Sequence, residues 1–125
     1  MIYGIGIDMV EVSRIQKALE RWGDRFLKRV FTQAEIEYCH HKVHAASRFA
    51  LRFAAKEAFS KALGLGFRSG LSFRHIEVIR GSDGPPQLTL HKRAEELCHR
   101  HGIKNSFLSL TDEGIYAVAV VVLEA

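Results

Sequence analysis

An acidic residue stands beside two glycines near the start of the chain, in a pattern that can hold a cation. Gly4, Gly6 and Asp8 alternate with isoleucines, so these three residues face one side of an extended segment. Glycines leave that side bare, and a ligand or another stretch of backbone can approach it closely. The plainer interpretation is that Asp8 caps the following helix while the glycines make room for packing. This segment alone does not decide between the two interpretations.

A second carboxylate lies in the strongest helical pattern of the sequence, among cations. Glu57 and Lys61 are neighbours on a helix surface, as are Arg52 and Lys56. Surface ion pairs worth a few tenths of a kcal/mol each are the plainer explanation of such a pattern. The same side of the helix also has two phenylalanines, which a solvated face rarely shows. The pattern therefore favours a binding face with one carboxylate ringed by three or four cations.

The residues after this helix offer much exposed backbone. Gly64 and Gly66 flank one leucine, and Arg68 follows shortly after, so a phosphate or a planar ring can lie close to the main chain. Mg²⁺ is typically held by one or two carboxylates together with phosphate oxygens and water. These features predict a polyphosphate ligand with a bound metal, and Asp8 and Glu57 are its protein ligands if their two elements lie side by side.

Periodicity and turn signals predict the elements that must position these residues. In order they are a strand at 2–8, helices at 13–19, 23–31 and 32–38, a long helix from 45 or 48 to 63, a hairpin of 76–80 and 87–90, a helix at 91–101, and a hairpin of 107–110 and 115–123. Ser13 is the predicted N-cap of the first helix, and Thr32 with Glu35 forms a capping box. Gly64 ends the long helix in a left-handed conformation. The class is α+β, with a largely antiparallel sheet packed on one long helix and several shorter helices.

Length and composition restrict the class of protein. The 125 residues, 47% hydrophobic and 26% charged, are typical of one globular domain. The longest apolar stretch, residues 116–123, is far shorter than the roughly 20 residues that span a bilayer, so we expect no membrane association. Two cysteines, Cys39 and Cys98, fit a reducing cytoplasm and no disulfide. The net charge of +4 favours an anionic partner.

Two segments resemble the holo-acyl-carrier-protein synthase family of 4′-phosphopantetheinyl transferases. Residues 4–11, Gly-Ile-Gly-Ile-Asp-Met-Val-Glu, are similar to the family's N-terminal motif. Residues 52–64, Arg-Phe-Ala-Ala-Lys-Glu-Ala-Phe-Ser-Lys-Ala-Leu-Gly, resemble its signature helix almost residue for residue. Further similarity at 31–35, 70–73, 84–86 and in the last strand extends the resemblance over a single domain of residues 1–125.

This resemblance implies an activity and a set of site residues. The reaction is transfer of the phosphopantetheine arm of coenzyme A to a serine of apo acyl carrier protein, with release of adenosine 3′,5′-bisphosphate, in support of fatty acid biosynthesis. Mg²⁺ is required, Asp8 and Glu57 are implied as its ligands, and Lys61 stabilises charge on the phosphoryl oxygens. The residues implied to contact coenzyme A are Arg48, Arg52, Lys56, Ser60, Gly64 and Pro86.

The proton acceptor for the attacking serine stays open between two residues. Glu57 could act directly or through a metal-bound water, and Lys61 could act in its neutral form. We favour Glu57.

The first helical region is strongly basic. The region contains few acidic residues. Its cations include Arg14, Lys17, Arg21, Arg25 and Lys28. Because the carrier protein of this family is acidic and helical, the resemblance implies that this region is its docking surface. A solvated helix face is the plainer alternative.

The resemblance also implies a homotrimer with active sites between subunits. The very apolar last strand fits such an assembly, although a strand buried inside a monomer would fit equally well.

Two positions depart from the family pattern, because Asp112 stands where many relatives have histidine and Pro85 where a basic residue is common. Neither departure affects the two proposed metal ligands.

Three other functions would account for parts of the sequence. A nucleic-acid-binding module would explain the basic charge, but acids are spread among the cations, so we expect no nucleic acid partner. A purely structural oligomer would leave Asp8 and Glu57 without a role. A zinc site has no standard spacing; its candidate ligands are Cys39, His40, His41, His44, Cys98, His99 and His101.

Overall fold

A computed structural model describes residues 1–81 and 83–125 of the chain. The strands are β1 (Ile2–Glu11), β2 (Ile76–Arg80), β3 (Pro86–Leu90), β4 (Asn105–Glu113) and β5 (Tyr116–Glu124), and the helices are α1 (Val12–Trp22), α2 (Asp24–Val30), α3 (Gln33–His40), α4 (Ala45–Leu63) and α5 (Lys92–Arg100). A short 3₁₀ turn, Phe73–His75, leads into β2. Across these two ranges, no helix combines the length and the apolar character needed to cross a bilayer.

Both sheets are antiparallel. Three strands form one sheet in the order β1-β5-β4, and β2 pairs with β3 in a separate hairpin. In the larger sheet Ile7 lies opposite Val120 and Asp8 opposite Ala119. The sheet packs on α4 and shares one core cluster with the shorter helices. The predicted α+β class is therefore confirmed.

Helix α4 lies against the glycine-containing face of β1 at backbone distance. One face of α4 is buried against the sheet; its members are Leu51, Ala54, Ala55, Ala58 and Ala62. A Cβ placed at Gly4 would fall 2.0 Å from the carbonyl oxygen of Ala62, and one at Gly6 would fall 1.9 Å from that of Ala58. Only glycine permits this approach. The bare side of the strand is thus covered by the backbone of α4. This agrees with the interpretation that the glycines make room for packing.

The opposite face of the three-stranded sheet is apolar and exposed. Ile5, Ile7 and Met9 have 60%, 60% and 61% of their surface accessible, and Phe107 on β4 has 55%. The neighbouring side chains of β5, such as Val120, are half-buried. This layer is much more apolar than a solvated sheet face of a monomer, which normally alternates hydrophobic-in with polar-out.

Two of the three predicted helix ends are confirmed, and one is wrong. Thr32 and Glu35 form the capping box, with the Glu35 N–H donating to Thr32 Oγ1 and the Thr32 N–H donating to Glu35 Oε1. Gly64 ends α4 with a φ of 87°. Ser13 is not an N-cap, because the helix begins one residue earlier, after Glu11. Its hydroxyl instead donates to the Glu11 carboxylate at 2.7 Å.

Candidate active site

Strand β1 and helix α4 bring Asp8 and Lys61 into direct contact. The Lys61 Nζ donates to Asp8 Oδ1 at 3.0 Å and to the carbonyl oxygen of Ile7 at 3.0 Å. Asp8 is mostly buried, whereas Lys61 is about half exposed, with 53% of its side chain accessible. The ion pair therefore lies at the rim of the sheet–helix interface, where a ligand from solvent can reach it.

Glu57 lies one turn before Lys61 and interacts with the same group of charges. Partial burial raises the pKa of the Glu57 carboxyl, and the negative charge of Asp8 raises it further. Lys61 and Arg14 act in the opposite direction, although they do not outweigh the first two effects. Asp8 and Glu57, which we call the acidic pair, thus lie close enough for one carboxylate to disfavour ionisation of the other.

This donor set fits Mg²⁺. Two partly desolvated carboxylates that repel one another are stabilised by a divalent cation, which removes that repulsion. The described residues bring no three His, Cys, Asp or Glu side chains together at a metal-binding distance, so other ligands must come from water or from a substrate. That arrangement is typical of Mg²⁺ bound through one or two carboxylates and substrate phosphates.

The last turn of α4 ends in exposed backbone at Gly64. Ser60 is buried and its hydroxyl donates to the carbonyl oxygen of Glu57 at 2.7 Å. The Gly64 N–H donates back to the carbonyl oxygens of Ser60 and Lys61, which closes the helix. A Cβ at Gly64 would meet nothing within 4 Å. Of these two predicted coenzyme A contacts, Gly64 therefore borders open space, whereas the Ser60 hydroxyl is used inside the helix.

The rest of the predicted charged face of α4 is turned into the protein, contrary to the expected ring of cations around Glu57. Lys56 has no exposed surface and forms an ion pair with Glu35 at 2.8 Å. Arg52 is 3% exposed and stacks its guanidinium 4.5 Å from the ring centre of Tyr38. The cations near Glu57 are Lys61 and Arg14 instead.

The phenylalanines of that face also pack internally. Phe49 lies 4.9 Å from Phe31, measured between ring centroids, and Phe53 stacks on Phe73 at 5.5 Å. Both contacts are made within the chain, so these side chains do not mark a ligand surface. The sequence pattern was correct in predicting that the face is covered.

Two buried guanidinium donors lack a partner. Arg48 Nε and Arg52 Nε are the buried side-chain donors without a hydrogen bond in the described part of the chain. One terminal nitrogen of Arg52 donates to the carbonyl oxygen of Arg48 at 3.3 Å. Along a helix with about 100° per residue, Arg48 lies about 180° and Arg52 about 140° around the axis from Glu57. The two arginines and Glu57 therefore lie on different faces of α4.

Pro86 lies outside this group. It begins β3 opposite Arg80, in the two-stranded sheet rather than beside Asp8. Asp112 is exposed near the end of β4, opposite Ala117 of β5. A single copy of the chain thus does not gather every residue that the sequence assigned to the site.

Helices α1 and α2 present a basic surface with an aromatic centre, which we call the α1–α2 surface. All five predicted docking cations, Arg14, Lys17, Arg21, Arg25 and Lys28, are exposed. The guanidinium groups of Arg21 and Arg25 lie 4.8 and 5.7 Å from the ring centre of Trp22. Beside them is a cavity of about 500 Å³ lined by Trp22, Arg25, Phe26 and Arg29.

The aromatic centre was missed at the sequence level. Trp22 has arginines one residue before it and three residues after it in the sequence, and guanidinium groups commonly pack over a tryptophan ring. That spacing was the available signal.

The two cysteines are buried apart from the acidic pair. Burial raises the pKa of both the Cys39 and the Cys98 thiol to about 11. Both are free thiols. Since the thiolate is the reactive form, neither side chain is prepared for nucleophilic chemistry.

Known proteins resemble this chain along nearly its whole length. Residues 4–121 match the model of the 4′-phosphopantetheinyl transferase superfamily. A holo-[acyl-carrier-protein] synthase of Geobacter sp. strain M21 is 51% identical over 124 residues, which is 99% of each chain. The crystal structure of holo-[acyl-carrier-protein] synthase from Neisseria meningitidis superposes with a TM-score of 0.93 at 36% identity and covers 100% of both chains. That of the Helicobacter pylori protein, solved in complex with coenzyme A, has a TM-score of 0.85 at 36% identity over 96% of this chain and 99% of the other.

Proposed function

Since the chain belongs to the 4′-phosphopantetheinyl transferase superfamily, we propose that its activity is that of a holo-[acyl-carrier-protein] synthase. It transfers the 4′-phosphopantetheine group of coenzyme A to a serine of apo acyl carrier protein and releases adenosine 3′,5′-bisphosphate. The observation that supports this function at the site is the meeting of Asp8, Glu57 and Lys61 at the rim of the β1–α4 interface. By the same reasoning the protein serves fatty acid biosynthesis in the cytoplasm.

The acidic pair holds the metal in this proposal. Asp8 and Glu57 supply one carboxylate each to Mg²⁺, which when bound neutralises charge on the diphosphate of coenzyme A. Lys61 lies beside Asp8, with a half-exposed ammonium group that can reach the same phosphoryl oxygens. Both contributions are electrostatic, and they strengthen as negative charge develops in the transition state.

Glu57 is also the proposed proton acceptor. The serine oxygen of the carrier protein bonds to the β-phosphorus, the bridging oxygen on the adenosine side leaves with its electron pair, and the hydroxyl proton must be removed. Glu57 lies in the same group of charges as Asp8 and Lys61, where its carboxylate can accept that proton. Lys61 remains the alternative, because a neutral lysine would serve the same step.

The proposed contacts to the rest of coenzyme A are distributed over several elements. Gly64 offers open backbone near the reacting phosphates. Arg48 and Arg52 have unpartnered donors that suit an anionic group of the nucleotide. Ser60 and Pro86 complete the proposed set.

The different faces of α4 support a site built between copies of the chain. Arg48 and Glu57 lie about 13 Å apart along the helix axis, at about 1.5 Å per residue, and on opposite sides of it. One ligand spans both groups if a neighbouring copy supplies the arginines. The exposed apolar sheet face, with Ile5, Ile7 and Met9, provides a surface for that association. We accordingly propose a homotrimer with active sites between subunits.

The α1–α2 surface is the proposed docking site for the carrier protein. Its exposed cations complement an acidic partner and would raise the rate of encounter. The cavity beside Trp22 can receive an apolar side chain at the centre of the contact. The charge of Arg14 acts on Glu57, so this surface also adjoins the acidic pair.

Mass spectrometry tests the proposed function directly. An apo acyl carrier protein incubated with this protein, coenzyme A and Mg²⁺ should gain the mass of one phosphopantetheine group on its serine. Omission of coenzyme A should abolish the gain. No mass gain, together with salt-dependent binding of DNA or RNA, would instead favour a nucleic-acid-binding protein.

A further inference from the structure

Lys56 belongs to a buried polar network in which its bonding capacity is used up. Its Nζ donates to Glu35 Oε1 at 2.8 Å, to the carbonyl oxygen of Phe73 at 3.0 Å and to the carbonyl oxygen of Ile76. An ammonium group has three protons to donate. Both Lys56 and Glu35 have side chains with no exposed surface. A ligand phosphate therefore cannot replace water on this lysine, because no water reaches it.

Glu35 extends the same network to the start of its own helix α3 and to a second residue of β2. Its Oε1 also accepts the Thr32 N–H at 2.9 Å, and its Oε2 accepts the Val78 N–H at 2.9 Å. The pair thus joins α3, α4, the 3₁₀ turn and β2 through one carboxylate and one ammonium group. Every bond is directional, so the position of α4 relative to the β2–β3 hairpin is specified by more than apolar contact.

Stability alone does not account for such a pair. Moving two charges out of water costs about as much as their attraction returns, and apolar replacements are often neutral or stabilising. What the pair supplies is a fixed orientation of α4 relative to the β2–β3 hairpin. A fixed orientation of the helix matters if the side chain of a neighbouring residue must point accurately into the site.

The neighbouring residue is Glu57. On a helix with about 100° per residue, Glu57 lies about 100° from Lys56 on one side and about 100° from Ala58 on the other. Ala58 is fixed by its close backbone contact with Gly6, and Lys56 is fixed by the network. Lys61, one turn further on, shares the direction of Glu57. Two anchors on opposite sides of α4 therefore determine where the site residues between them point.

We propose that Lys56, with Glu35, is a positioning residue: the pair fixes the rotation of α4 and thereby aims Glu57 and Lys61 at Asp8. Lys56 does not contact the phosphates of coenzyme A, the role that the sequence resemblance gave it. This inference rests on the proposed transferase function. It assigns a part in the reaction to Glu35, which lies far from the signature helix in the sequence.

Steady-state kinetics of Lys56→Met, Glu35→Gln and the double variant test the proposal, with Leu97→Ala as a control. Leu97 is a buried residue of α5, and its truncation lowers stability without touching the network. All variants are assayed well below their melting temperatures. We expect each network variant to lose about tenfold or more in kcat, as small misplacements of reacting groups do, with KM for coenzyme A within about twofold. The double variant should lose no more than the worse single one, and Leu97→Ala should keep its kcat.

Two further measurements keep the test decisive. Amide exchange at Val78 should accelerate in Glu35→Gln, which reports the network without any assay of activity. If the charge-removing variants do not fold, Lys56→Arg and Glu35→Asp keep both charges while shifting their geometry, and they should show the same fall in kcat with an unchanged KM.

Three results would overturn the inference. A rise in KM for coenzyme A confined to the Lys56 variants would make Lys56 a ligand contact. A kcat equal to that of Leu97→Ala in every network variant would make the pair merely structural. Absence of transfer by the unaltered protein would instead overturn the proposed function, and the inference with it.

Discussion

The carbonyl oxygen of Ala58 lies where the Cβ of any larger residue at Gly6 would have to be, 1.9 Å from that position. Because the contact joins main chain to main chain, it sets the separation of β1 and α4 without any side chain between them. Asp8 follows Gly6 by two residues and Glu57 immediately precedes Ala58. The spacing of the two carboxylates therefore depends on this contact.

Gly6→Ala should destabilise the protein and disturb the site together. The added methyl group cannot be accommodated unless strand and helix move apart, so we expect the free energy of unfolding to fall by about 2 kcal/mol or more. Urea denaturation measures the change. Gly81→Ala is the matched control, because a Cβ at residue 81 meets nothing within 4 Å; an equal effect of both variants would refute the steric argument.

Asp8→Asn should remove Mg²⁺-dependent transfer while leaving the fold intact. An amide is a weaker metal ligand than a carboxylate and leaves Lys61 without its ion-pair partner. We expect kcat/KM to fall about 100-fold or more, measured by transfer of the phosphopantetheine group to apo carrier protein. Chelation of Mg²⁺ by EDTA should abolish transfer by the unaltered protein and be reversed by excess Mg²⁺. Full activity in EDTA would contradict the metal role.

Glu57→Gln should stabilise the metal-free protein at neutral pH. The pKa of Glu57 is raised in the folded state, so protonation of its carboxyl favours folding. This stabilisation is fully present below the ordinary pKa of 4.5. It is lost as the pH rises through the higher folded-state pKa. Above that value the ionised carboxylate costs stability, which a neutral glutamine avoids. Thermal melts without metal at several pH values should show an advantage for Glu57→Gln near pH 7 that disappears below about pH 4. A lower melting temperature at pH 7 would show that Glu57 is stabilised as an anion.

Charge reversal at the α1–α2 surface should weaken carrier-protein binding and spare coenzyme A binding. Arg21→Glu and Arg25→Glu change exposed cations beside Trp22, and we expect at least about a tenfold rise in KM for the carrier protein with KM for coenzyme A little changed. Arg100→Glu on α5 makes the same change of charge elsewhere. Arg14 is a less selective test, because its charge also acts on Glu57. Equal losses for both substrates would count against this docking site.

Ile7→Glu should dissociate the proposed trimer. A carboxylate in the centre of the exposed apolar sheet face must be desolvated on association, which costs several kcal/mol without a partner charge. Analytical ultracentrifugation should show a shift toward monomer, together with a loss of transfer activity. Val43→Glu, at a side chain 93% exposed on the α3–α4 loop, should leave both unchanged. A monomeric but fully active Ile7→Glu variant would refute active sites between subunits.

Local patterns in the sequence were sufficient to predict most of the fold. The long helix α4, the Thr32–Glu35 capping box and the Gly64 cap are determined by neighbours a few residues away, and all three are as predicted. Ser13 failed as an N-cap because the strand ends at Glu11 and the helix starts directly after it, which leaves Ser13 inside the first turn. Such an end is set by the pairing of β1 with β5, which a local pattern does not record.

The charged face of α4 shows where sequence reasoning reached its limit. Periodicity places Lys56 near Glu57 on the helix, but it does not reveal that Glu35, 21 residues earlier, draws the lysine into the core. In the same way Arg52 is drawn to Tyr38. The identity of the acidic pair was predictable from residue type and spacing, whereas the partners of the nearby cations depend on contacts between distant segments.

The close glycine–alanine contact has one more consequence, and it concerns affinity. Two like charges are brought together before any ligand arrives, and the work of doing so is supplied by folding rather than by the arriving cation. In the proposed metal site, a bound cation would neutralise that repulsion and release the stored free energy, so packing between a strand and a helix would contribute to the affinity for the ion. The metal-free protein would be less stable by the same amount, and its site would need little rearrangement to bind.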